Sequence, residues 1–287
     1  MENKVVQIEQ QVKSPKAIVE YYIHVGEEKA VIPFAKLVLL AVMAGACIAL
    51  GASSAAVASH SIENAGVAKL VAGSVFPVGL MMIILFGLEL FTSGTLMIMG
   101  AADKKYSWLK VVKTLVIIYV SNMIGAVLIA LMLNTAGQFD FNSAHLGAYT
   151  IKVAVGKVHL DFFTAFISGI LCNILVCGAV LLAATAKDVV GKLFAIFFPI
   201  LAFIIGGFEH CVANMYYIPA GIIASKNPEY ATLVEEIYGY GAEALADLTW
   251  SHFFIHNLIP VTLGNIIGGG VCIGLALYYA FVKDAKK

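Results

Sequence analysis

Two stretches carry ionisable groups where the surrounding sequence is apolar. "GGFEHCVANM" (206–215) sets Glu209 beside His210 and places Asn214 four residues on. "GLELFTSGTLM" (87–97) holds Glu89 and, three residues later, Thr92. Charge is costly in hydrocarbon, so an ionisable residue in such a stretch points to function. A neutral imidazole donates a hydrogen bond, and near physiological pH the ring also carries a proton. A weak-acid anion beside His210 would be held by that donor, or take the proton and continue neutral. The Thr92 hydroxyl can meet His210 across a pore and bind the anion, or bond back to its own helix. A carboxylate lines an anion path poorly. Glu89 and Glu209 therefore read as acceptors for backbone N–H groups freed at a helix break, or, for Glu209, as the group orienting His210. Asn173 and Asn214 are amides inside apolar runs, where bonding between helices is the default and pore lining the sharper alternative. Lys157 either attracts anions to a mouth or is a solvated loop lysine. Phe76, Leu80, Leu90, Phe91, Val176 and Phe203 are bulky apolar residues on or beside the same segments. Such residues form core or lipid-facing surface, and a few can form constrictions that exclude water.

These groups need elements to position them. The chain has 287 residues, 61% hydrophobic and 13% charged, with a mean hydropathy of +0.91. Soluble domains average about 45–50% apolar and about 25% charged. The excess recurs along nearly the whole chain, which predicts an all-α polytopic membrane protein in contact with a lipid bilayer. Six passages are expected, at about 34–58, 66–102, 108–133, 160–186, 191–224 and 253–282. The second and fifth exceed the roughly 20 residues one span needs. They are interrupted by Pro77, Gly79, Gly87 and Gly94, and by Pro199, Gly206, Gly207 and Pro219. Both read as broken helices. A break inside a membrane frees backbone groups that are tolerated only when buried in protein or lining a cavity.

The halves echo each other. Gly45 in "MAGACIALGA" (43–52) matches Gly169 in "ISGILCNILV" (167–176), and Gly87-Leu88-Glu89 matches Gly207-Phe208-Glu209. Asn122 and Gly125 in "SNMIGAVLIALM" match Asn265 and Gly268 in "GNIIGGGVCIGL". Three spans followed by three spans enter from opposite sides, so the expectation is an inverted 3+3 repeat with halves at about 34–133 and 160–283. A pair of broken segments in corresponding positions marks a permeation or binding site. Residues 1–33 are set apart as a cytoplasmic amphipathic helix, capped by Ser14 ahead of Pro15, with Ile18, Tyr21, Tyr22 and Val25 on one face. It serves as an interfacial anchor or a gate. Lysines at 104, 105, 110, 187, 192, 283, 286 and 287 place both termini in the cytoplasm, 284–287 forming a short tail. The acidic segment 225–252 then lies outside; Lys152 and Lys157 in the loop at 134–159 are a mild exception.

Composition also excludes. Net charge is zero, which gives no footprint for nucleic acid, and all 18 basic residues are lysines, which removes bidentate arginine clamps. The five cysteines form no C-x-x-C pair and read as small buried hydrophobes. There is no phosphate-binding glycine loop, H-E-x-x-H or G-x-S-x-G, so neither enzyme chemistry nor a cofactor or metal is expected. His252 and His256 have metal-pair spacing without further ligands. A water or neutral-solute channel is the alternative within transport, yet no paired N-P-A motif occurs; Asn227-Pro228-Glu229 falls outside the spans.

"GFEHCVANMYYIPAG" (207–221), "CNILVCGAVLLA" (172–183), "FPVGLMMIILFGLELFTSGTLM" (76–97) and "MAGACIALGA" (43–52) resemble the formate/nitrite transporter family. "KVHLDFF" (157–163) and "NMYYIPAG" are most similar to its formate channels. The resemblance implies an aquaporin-like protomer of six spans in a homopentamer, with one pore per protomer, carrying formate, nitrite, hydrosulfide or a similar small monovalent anion with protons. It implies a central polar pair of Thr92 and His210, with Lys157 and Asn173 assisting the anion. It further implies a cytoplasmic constriction of Leu80, Phe91 and Val176 and an outer one of Phe76 and Phe203.

Overall fold

The computed structural model describes residues 13–283 and is all-helical over them. A first helix, α1 (Pro15–Val31), precedes α2 (Phe34–Ser59). The second passage is α3 (Ala65–Phe86) followed by α4 (Phe91–Ala102). Then come α5 (Trp108–Thr135), α6 (His145–Val158) and α7 (Phe162–Thr185). The fifth passage is α8 (Val189–Gly206) followed by α9 (Cys211–Ala224). Beyond it lie α10 (Pro228–Tyr238), α11 (Ala242–Ala246) and the last span, α12 (Trp250–Lys283). Six of these helices are long and apolar enough to cross a membrane: α2, α3, α5, α7, α8 and α12. The chain is a multi-pass membrane protein.

The passages turn inside out relative to a soluble bundle. Along α5, Val112, Val116, Val120, Ile124, Leu128 and Leu131 form an exposed apolar stripe, while Ser121, Asn122 and Gly125 face inward. The outward stripe suits lipid. The inward small residues let backbones touch, as membrane helices require in the absence of a hydrophobic drive between them. A Cβ on Gly45 would sit 1.9 Å from the Asn122 carbonyl oxygen, and one on Gly125 would sit 1.9 Å from that of Val42. These contacts seat α2 against α5. In the other half Gly264 lies against Phe166, and Gly268 against Ile170, joining α12 to α7 in the same manner.

Three elements differ from the sequence-based expectation. Each broken passage holds one full-length limb and one partial limb, because α3 and α8, at 22 and 18 residues, are long enough to cross alone. The stretch 134–159 is no loop: its second half is α6, packed against α9, with a Cβ on Gly221 meeting Ala154. And α1 buries Val19, Ile23, Gly26 and Ala30, one step round from the expected face. Tertiary contact selects that stripe. Gly26 is where the Tyr106 ring approaches, and Tyr22 donates from its hydroxyl to the Val180 carbonyl at 3.1 Å. The acidic segment 225–252 contains α10, capped by Asn227, and α11. The expected tail at 284–287 and residues 1–12 lie outside the described residues.

Candidate functional site

Both breaks are built alike. Gly87 and Gly207 end α3 and α8 in left-handed backbone, at φ 66° and 67°, where a side chain would be strained. The next N–H folds back in each case, Leu88 to the Ile83 carbonyl at 2.9 Å and Phe208 to Phe203 at 3.3 Å. This pairing is a common helix stop. Three extended residues follow before the chain turns helical again at Phe91 and Cys211. Each restart is pinned by one buried asparagine from a neighbouring span. The Asn122 side-chain oxygen accepts from Phe91 N–H at 2.9 Å, and its amide donates to the Ala41 and Glu89 carbonyls at 2.7 and 2.9 Å. Asn265 accepts from Cys211 N–H at 2.9 Å and donates to the Gly169 and Glu209 carbonyls at 2.8 and 3.0 Å.

Here the structure corrects the role assigned to the glutamates. The groups freed at the breaks are satisfied by Asn122 and Asn265, and by Ser168, whose hydroxyl accepts from Glu209 N–H at 3.0 Å. The carboxylates instead pair with lysines, Glu89 with Lys29 of α1 at 2.5 Å and Glu209 with Lys157 of α6 at 2.7 Å. The lysines of α1 and α6 take up the carboxylates, and the asparagines that satisfy the freed groups come in from α5 and α12. Lys157 is thus no solvated loop residue, since its side chain is 16% exposed. Asn214 donates to Glu209 at 2.6 Å and to Asn257 at 2.7 Å, and Asn257 donates to the Lys157 carbonyl at 2.9 Å.

The restarts bring His210 and Thr92 together. His210 Nε2 lies 3.0 Å from Thr92 Oγ1. His210 is also the N-cap of α9, its Nδ1 accepting from Ala213 N–H at 3.0 Å. An imidazole whose Nδ1 accepts carries its proton on Nε2 when neutral. The Nε2–H therefore donates to Thr92, and the threonine hydroxyl keeps its own hydrogen for another acceptor. Both residues sit at helix N-termini, where the dipole favours negative charge. Asn173 braces this arrangement, its amide donating to the Thr92 carbonyl at 3.1 Å and the Asn265 carbonyl at 2.6 Å. Gly269 leaves room for that amide, since a Cβ there would lie 2.3 Å from Asn173 Nδ2.

Two cavities flank the pair. The larger, of about 650 Å³, is walled in part by Phe203, Glu209, His210, Asn214 and Lys157. The smaller, of about 360 Å³, is walled by Ile83, Leu88, Glu89, Val180 and residues of α1. Leu80 stands one turn before Ile83, and Val176 one turn before Val180. Both are buried, as are Leu90, Phe91 and Thr92, and none of the five lines either cavity. The Phe76 and Phe203 rings meet edge to face at 5.5 Å, and the Phe203 ring lies 5.9 Å from that of His210. His210 and Phe203 thus both face the larger cavity, and Thr92 lies behind the histidine with the buried apolar residues that face neither cavity. His252 and His256 have rings 4.5 Å apart, away from this line, with His252 hydrogen-bonded to Thr249.

Sequence reasoning missed the stapling role of Asn122 and Asn265, although it matched them as repeat partners. Lys29 and Lys69 also escaped it. The available signal at Lys69 was a lysine inside an apolar span.

The chain was compared with known proteins. A model of the formate/nitrite transporter family matches residues 16–279. A probable formate transporter of Methanothermobacter thermautotrophicus is 38% identical, covering 95% of this chain and 98% of its own length. Formate channel FocA of Haemophilus influenzae is 39% identical over 83% of this chain and 84% of its own length. Among solved structures, a pentameric formate channel with formate bound superposes with a TM-score of 0.79 at 33% identity, over 87% of this chain and 98% of that one. An FNT family ion channel gives 0.78 at 27% identity, over 92% and 98%. With two broken passages, a shared asparagine staple and a histidine–threonine pair between two cavities, this chain belongs to the formate/nitrite transporter family.

Proposed function

We propose that the protein carries formate, or a similar small monovalent weak-acid anion, through one pore in each protomer of a homopentamer. The observation that carries this is the 3.0 Å contact of His210 and Thr92 at two helix starts, with a cavity on either side. An anion arriving from the larger cavity, past Phe203 and Phe76, accepts from the free hydroxyl hydrogen of Thr92 and takes over the Nε2–H from the threonine oxygen. These two donors replace part of the hydration shell it has lost. It then crosses the partition of Leu80, Phe91, Leu90 and Val176 to the smaller cavity, with Asn173 holding Thr92 in place. Lys157 and Lys29 favour the anion at the two approaches. The formate transporter and formate channels named above support formate over nitrite or hydrosulfide.

The same geometry supplies a pH response. Protonation of Nδ1 turns that nitrogen from acceptor to donor, and Ala213 N–H loses its partner. Acidification thus loosens the start of α9 and changes the donor presented to the anion. We place α1 and both termini on the cytoplasmic side of the cell membrane, with α10 and α11 outside. α1 lies over the smaller cavity, and the membrane domain runs from 34 to 283. Uptake of labelled formate into proteoliposomes tests the transport reading; flux equal to that of empty vesicles, for formate, nitrite and hydrosulfide alike, would refute it. Asparagine is a good N-cap but does not titrate, so His210→Asn should keep the fold and flatten the pH profile. An unaltered profile would make His210 purely structural.

A further inference from the structure

The two cavities share a charge pattern that the pore pair does not explain. Each is walled by three lysines against two glutamates. In the larger, Lys157 is neutralised by Glu209, and Lys152 lies over the rings of Tyr149 and Tyr238 at 5.2 and 5.4 Å. In the smaller, Lys29 is neutralised by Glu89, and Lys13 lies 3.9 Å from the centre of the Tyr21 ring. One lysine remains on each side with neither a carboxylate within ion-pair distance nor an aromatic ring against it among the described residues. These are Lys69 and Lys192.

Their placement corresponds. Lys69 lies in the second turn of α3 and Lys192 in the first turn of α8, so each opens the full-length limb of a broken passage. Lys69 reaches back to the other passage's break: its Nζ is 3.1 Å from where a Cβ on Gly207 would stand. It thus lies at the end of α8, with Glu209 and His210 in the same wall. A lysine in an apolar helix is costly, and a second charge nearby normally offsets it. Here that countercharge is missing, and the cavity it faces, of about 650 Å³, has room for a mobile anion.

We propose that Lys69 and Lys192 are paired capture sites, each holding one small monovalent anion at its end of the pore before the anion meets His210 and Thr92. The net single positive charge of each cavity matches one monovalent anion. The paired Lys157 and Lys29 hold the breaks in shape and add only a weak field at the approaches, and the unpaired lysines hold the cargo. A second positive charge on each side would bind an anion too firmly to release it. This inference rests on the transport reading and assigns the binding step within it.

The test uses the full-length protein in oriented proteoliposomes, with formate as the probe. Lys69→Gln should raise the half-saturating formate concentration for flux from the larger cavity about fivefold at low ionic strength, leaving the maximal rate unchanged. Lys192→Gln should do the same from the smaller cavity. Lys69→Arg should restore the wild-type value. Raising ionic strength on the affected side should slow the wild type and leave the glutamine variants almost unchanged. A half-saturation that does not move, or a loss confined to the maximal rate, overturns the proposal. Binding is checked separately in crystals soaked with iodide: anomalous density at Lys69 Nζ and Lys192 Nζ in the wild type, lost in the matching variant, is expected. Its absence from the wild type also overturns the proposal. Wild-type vesicles without formate flux would instead refute transport, while the iodide result still decides the binding site.

Discussion

Replacing Asn265 with alanine removes the staple that starts α9 directly after His210. Three hydrogen bonds go at once, to Cys211 N–H and to the Gly169 and Glu209 carbonyls, at a residue with no exposed surface. A buried polar group stranded without a partner costs about 1–3 kcal/mol. The Gly169 carbonyl keeps its partner within α7, so two such groups at the lower end of that range give about 2 kcal/mol. For a protein of this size that corresponds to an unfolding temperature lower by about 4–8 °C. His210 precedes the freed N–H, so its ring loses its register with Thr92, and formate flux should fall about tenfold, equivalent to about 1.4 kcal/mol. Asn265→Asp should fare no better, because a carboxylate keeps one acceptor but faces two carbonyls. Asn122→Ala should match the thermal loss through Phe91, Ala41 and Glu89. The assays are thermal unfolding in detergent and formate uptake in vesicles. An Asn265→Ala protein with wild-type unfolding temperature and wild-type flux would refute the staple.

Thr92→Val keeps the shape and removes the hydroxyl opposite His210, and uptake should fall about 5–30-fold, the equivalent of one hydrogen bond of about 1–2 kcal/mol. Gly87→Ala and Gly207→Ala both place a side chain in left-handed backbone, at about 1–2 kcal/mol in thermal stability. Only Gly207→Ala also displaces Lys69, since a Cβ at Gly87 meets nothing within 4 Å, so only it should raise half-saturation for formate. On α10, outside the spans, burial and then the hydrogen bond to Asp140 push the Tyr230 hydroxyl up to about 12. A raised value means the neutral phenol stabilises the fold below about pH 10, the ordinary tyrosine value, and loses that contribution as pH rises through about 12. Tyr230→Phe should therefore show a smaller loss of thermal stability than the wild type between those limits.

The sequence by itself determined the membrane class, the six passages and the two breaks. Span length is fixed by bilayer thickness, and glycine is the residue that closes a helix in left-handed backbone, so both are written locally. His210 stood out too, because ionisable groups are rare in hydrocarbon, whereas Thr92 had two open readings until the fold set it 3.0 Å from the histidine. The asparagine staples were visible as Asn122 and Asn265 but not as staples. Their partners are 31 to 96 residues away, and only the packing of α5 and α12 brings them to the breaks. Three-dimensional contact likewise decided which face α1 buries, and it turned an expected loop into α6. It also sorted the lysines. Lys157 and Lys29 look like Lys69 and Lys192 in sequence, and only folding brings Glu209 and Glu89 within reach of the first two and leaves the others facing their cavities uncompensated. Composition fixes how many charges a chain carries; which of them remain free to act is set by distances that only the folded chain defines.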